Sequence, residues 1–127
     1  MPAQQRPVGT RLTRTERQLM ELLCSGTDAQ SAIAREQLMQ AQWGGYPHAE
    51  CECFLLTFAG KAGLAPIDHD GGPFAMVEVS AHSETLGFIE LWVVDGYLHS
   101  VDYMPFGDDH VQIPTRETHE LTFAGRG

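Results

Sequence analysis

The sequence predicts an α+β fold, an N-terminal helix pair packed on a four- to five-stranded antiparallel sheet. Three observations carry that prediction. Residues 13–43 place apolar side chains at helical period, and residues 50–104 alternate them instead. Asp95-Gly96 then sits between two apolar runs, as a tight hairpin turn would. Helices followed by strands, rather than interleaved with them, give segregated layers. The 127 residues make one domain, with residues 1–12 as a flexible N-terminus and residues 13–127 as the folded unit.

Taken in order, the first helix spans about residues 13–25. Thr13 and Glu16 have capping-box spacing, Leu19, Met20, Leu22 and Leu23 form the apolar stripe, and Gly26 ends it. The second spans about residues 28–43, with Asp28 as N-cap, Ile33, Leu38 and Met39 as the apolar side, and Gly44-Gly45 as the stop. "ECECFLLTF" is the first strand, about residues 50–58, and the Gly- and Pro-rich "KAGLAPIDHDGGP" is a loop. Strands follow at about residues 74–81, 86–94 and 97–104, and "HELTFAG" supplies a short edge strand as a fifth.

A two-residue turn at Asp95-Gly96 sets the pairing of the hairpin. Val94 then faces Tyr97, Trp92 faces His99, Glu90 faces Val101 and Phe88 faces Tyr103. Both faces are partly apolar, so one rests on the helices while the other keeps more apolar surface than a solvated face usually does. That reading groups Trp92, Tyr97 and Tyr103 with Glu90 and His99 as anchor-type residues ringed by acids, or, if tail or helices cover them, as core.

Charge is segregated. The chain carries 17 acids against 8 bases, a net of −9. Residues 1–36 hold five arginines and four acids, whereas residues 37–127 hold three bases and thirteen acids. No Lys or Arg occurs between Ala62 and Thr115, although nine acids do. Such a surface repels phosphate backbones, which argues against a nucleic-acid partner, and attracts a basic protein patch. Acidity also keeps a chain soluble without any partner.

No apolar run reaches the roughly 18 residues that span a bilayer, and "MPAQQRPVGTRLTRT" lacks the apolar segment of a secretory signal. Three cysteines are too few for a disulfide framework. These features predict a cytoplasmic protein without a membrane partner.

Metal and enzyme chemistry have limited footholds. "HAECEC" gathers His48, Cys51 and Cys53, and two thiols two apart on a strand share a face. Structural zinc takes four ligands and usually a wider cysteine spacing, so buried apolar thiols are the simpler expectation. "IDHDGG" lacks the carboxylate spacing of a calcium loop. Nucleophile-elbow, Walker, H-E-x-x-H and dinucleotide motifs are all missing from the sequence. No catalytic residue and no cofactor is expected.

The elements "CEC" (Cys51, Cys53) and "VVDGYLHSVDYMPFGDD" (Val93–Asp109) resemble a group of small acidic bacterial proteins of unknown function. These share a C-x-C strand, a V-x-D-G-x-L hairpin and a terminal G-D-[DE]. The resemblance runs from Glu50 to Asp109, about half the chain; Glu50, Glu52 and Phe54 stand where that group usually has glycine or proline. It implies a bacterial or phage source and supports the fold without implying an activity.

The sequence therefore points to a non-catalytic binding protein of inhibitor or immunity type, directed at a basic protein partner. The expected contact residues are Glu90, Trp92, Tyr97, His99, Asp102, Tyr103, Asp108 and Asp109. Two alternatives stand beside it: a metal- or thiol-dependent enzyme or sensor centred on His48, Cys51 and Cys53, and a homodimer that buries the same aromatics.

Overall fold

Thr13 opens the first helix as its sequence asks. Its hydroxyl accepts from the Glu16 amide while the Glu16 carboxylate accepts from the Thr13 amide, a closed capping box. The computed structural model, which describes residues 6–46, 53–69, 71–107 and 113–126, continues this helix as α1 (Arg14–Leu23). Asp28 caps α2 (Ala29–Leu38) through the Ser31 amide.

The second helix is shorter than its sequence predicts. It ends at Leu38, and Ala41–Gly45 is a strand, β1, where helix was expected to residue 43. The reason is local pairing. Trp43 donates its amide to Thr10 and accepts from Gly9 on one side, and on the other β1 pairs with β2 (Phe54–Phe58). Ala41 and Trp43 alternate into the core, and Trp43 is only 4% exposed. Gly44 serves this pairing rather than a helix stop, because a Cβ there would lie 3.0 Å from the Leu55 backbone.

Four further strands complete the sheet: β3 (Ala75–Ala81), β4 (Glu84–Val94), β5 (Tyr97–Pro105) and β6 (Glu120–Arg126). All pairs are antiparallel, in the order β1-β2-β5-β4-β3-β6. Among the described residues the sheet thus has six strands rather than four or five: the expected edge strand forms, and β1 is the addition. Both tight turns take positive φ at their two central residues, Asp95-Gly96 as its sequence demands and His82-Ser83 without any glycine.

The helices cover one face. Leu19, Met20 and Leu23 of α1 and Ala34 and Leu38 of α2 join Val77, Val79, Ile89, Leu91, Val101 and Phe54 in a single core. Gln37 of α2 is fully buried and binds the hairpin turn from below. Its amide donates to the Ala65 and Gly96 carbonyls, and its oxygen accepts from the Leu98 amide at 3.0 Å. At the far edge Arg126 bonds Asp28 at 3.0 Å and stacks on Phe74, tying β6 to the start of α2. None of the described helices is long and apolar enough to cross a membrane.

Candidate functional site

The β4–β5 hairpin contains a bulge that re-sorts the expected partners. Val94 pairs Tyr97 and Val93 pairs Leu98 as expected, but beyond this point the ladder slips by one. Trp92 then pairs Ser100, Leu91 pairs Val101, Glu90 pairs Asp102, Ile89 pairs Tyr103 and Phe88 pairs Met104. His99 is the extra residue and points to solvent, its ring near the Ser100 hydroxyl. The slip falls where α2 draws the Leu98 amide to Gln37.

A one-residue slip exchanges faces. Tyr103 drops to the helix-covered side beside Ile89, 8% exposed, and burial pushes its phenol up. It leaves the expected contact set. Asp102 moves the other way and stands directly opposite Glu90. Tyr97 lies at the turn, edge-on to Phe58 and capped by the Lys61 ammonium 4.4 Å from the ring centroid. The structure therefore brings together Glu90, Trp92 and Asp102 and turns Tyr103 to the other face, while Tyr97 packs at the turn and His99 stands exposed beside Ser100, the residue opposite Trp92. Asp108 and Asp109 lie outside the described residues.

Around the Glu90–Asp102 pair, the face turned away from the helices has a mixed surface. Trp92, Ser100 and Leu55 form one cross-strand row, Met76 flanks Glu90, and Phe88 and Met104 form the next row. Met104 is 52% and Phe106 is 66% exposed, and Phe106 leans on Phe88 with ring centroids 5.8 Å apart. The sequence reading did not select Met76, Met104 and Phe106; Met76 and Met104 are single apolar residues among polar ones on their side of the strand, beside Glu78 and Asp102, and Phe106 follows the end of β5.

Among the described residues, no strand supplies this face with a cation. The six strands hold one Lys or Arg between them, Arg126, and it turns to Asp28 and Phe74 on the helix side. Glu78 has at least a hydroxyl donor, from Thr85 at 2.6 Å. Glu90 has its carboxyl pushed up, first by burial and then by the Asp102 charge, while the nearby Trp92 indole pulls it down. The indole approaches that carboxylate without good hydrogen-bond geometry, so the buried Trp92 Nε1 has no full partner among the described residues.

The chain matches no family model, no curated protein and no solved structure.

The thiol site is only partly in view, because His48 and Cys51 lie outside the described residues. Cys53 is buried, and its sulfur accepts from the Tyr103 amide at 3.3 Å. Cys24 is buried against the helix pair, and burial pushes its thiol up to about 12, far from a reactive thiolate. Among the described residues no three His, Cys, Asp or Glu side chains are grouped to hold a metal ion.

Proposed function

We propose that this protein acts by binding, docking the open face of its sheet on a basic surface of another protein. The observation that carries the proposal is the Glu90–Asp102 pair. Two carboxylates stand directly opposite each other, on a face to which no strand contributes a cation. Like charges placed so oppose folding, by roughly 0.2–1 kcal/mol. A guanidinium or ammonium from a partner would remove that repulsion and gain two acceptors, while Trp92, Phe88, Met104 and Phe106 offer the apolar anchors typical of interface centres.

The same charge disfavours a homodimer through this face, since a second copy would bring four carboxylates together. An inhibitor or immunity-type role fits best, in the cytoplasm: toxins and defence nucleases carry basic nucleic-acid grooves, and an acidic sheet face can occupy one. Asp108 and Asp109, three and four positions after β5 in the sequence, belong to the same proposal as contact residues.

The test is kinetic. Purified basic nuclease toxins would be screened against the wild-type chain and an Asp102→Lys variant at low and high salt. The proposal expects at least one target whose association with the wild type slows as salt rises and is strongly weakened by the variant. Association with the variant as fast as with the wild type would remove this face from the contact.

A further inference from the structure

A second site lies on the other side of the molecule, beneath α1. A cleft of about 260 Å³ opens between that helix and the segment leading into β6. Its floor is apolar, formed by Leu19, Leu22, Phe54, Ile113 and Leu121. One wall carries Glu16, but that carboxylate is already matched: both oxygens accept from the Arg6 guanidinium at 2.8 Å. The other cation at the cleft is Arg116. It is exposed, and among the described residues it has no ion pair or hydrogen bond, in a chain of net charge −9.

The backbone that carries Arg116 is ordered, although its guanidinium is not itself bound among the described residues. Its neighbours form a turn in which Thr115 accepts from the Thr118 and His119 amides at 3.0 and 2.8 Å, and the Thr118 hydroxyl accepts from the Thr115 amide at 3.0 Å. An unmatched cation carried on an ordered turn beside a cleft with an apolar floor is an arrangement that can orient a small amphipathic acid. The volume lies just under the roughly 300–1,000 Å³ of drug-sized ligand pockets, which limits the occupant to about one ring and a short chain.

We infer that this cleft binds a small organic anion, its apolar body against Leu22, Ile113 and Leu121 and its acid group toward Arg116. The site is independent of the open sheet face, so either can fail alone.

The experiment is a titration of the full chain by calorimetry with three probes of one shape: 3-phenylpropionate, its neutral amide, and 3-phenylpropylamine. The acid should saturate one site at millimolar or lower concentration, and the amide should bind roughly threefold to fivefold more weakly, as suits an exposed ion pair. The amine should bind most weakly. Arg116→Gln should reduce the acid to the affinity of the amide and leave the amide unchanged. Leu22→Trp, which fills the cleft, should abolish both; Ile113→Trp serves if that variant loses its helical circular dichroism. No saturation by the acid, an amine that binds as tightly as the acid, or undiminished binding in a folded filled variant would overturn the inference.

Discussion

Replacing Glu90 by glutamine should stabilise the protein at neutral pH. Glu90 faces Asp102 across the β4–β5 ladder, and a directly opposite pair brings its Cβ atoms to roughly 4.5–5.5 Å. Burial and the Asp102 charge raise the Glu90 carboxyl above its ordinary range. The folded state therefore binds more protons than the unfolded chain in the window between the ordinary and the raised value. Stability falls as pH climbs through that window, and the loss is complete at neutral pH. Glutamine keeps the shape and removes the charge. For a half-exposed pair the gain is about 0.5 kcal/mol, or roughly 2 °C in Tm for a domain of this size. Asp102→Asn should give a similar gain, and the double variant less than the sum, because both remove one repulsion. Urea unfolding at pH 7 and pH 4 measures this directly, with the advantage of Glu90→Gln shrinking at the lower pH. A variant less stable than the wild type at pH 7, or equally advantaged at both, would refute the reasoning.

Three other outcomes follow from the packing. Gln37→Ala leaves the Leu98 amide and the Ala65 and Gly96 carbonyls without their side-chain partner in a buried site, and should lower stability by about 2–4 kcal/mol in urea unfolding; a loss under ~0.5 kcal/mol would mean water replaces it. Asp28 is held down to about 2, by the Ser31 hydroxyl first and Arg126 after it, so its contribution is present above the ordinary aspartate range and lost as pH falls toward 2. Asp28→Ala should cost about 1 kcal/mol at pH 7, and the difference from wild type should narrow in acid. Cys24, with its thiol near 12, should resist iodoacetamide at pH 8 in the native state, as read by peptide mass spectrometry. Rapid native labelling would show that the helix pair opens.

Much of the fold was legible in the sequence because its determinants are local. The capping residues Thr13 and Asp28 and the Asp95-Gly96 turn act within a few residues of themselves, and each does what its sequence asks. What was not legible depends on contacts between distant residues. The strand at Ala41–Gly45 exists because Gly9, Thr10 and β2 bond it from both sides, which no helical periodicity around Leu38 and Met39 reveals. The bulge at His99 is tied to Gln37, 61 positions before Leu98 in the chain. That single slip decides the site: it removes Tyr103 from the open face and sets Asp102 against Glu90. The sequence had already shown that no Lys or Arg lies between Ala62 and Thr115; only register shows which carboxylates meet.

The most direct test of the docking face needs no identified partner. Amide and side-chain NMR shifts of the full chain would be followed while an arginine-rich peptide is added, at low and at high salt. The account predicts shifts concentrated on Glu90, Trp92, Asp102 and the Met104 methyl, fading with salt and absent in Glu90→Lys/Asp102→Lys. Shifts confined to the helix side, or unchanged in the double variant, would contradict it.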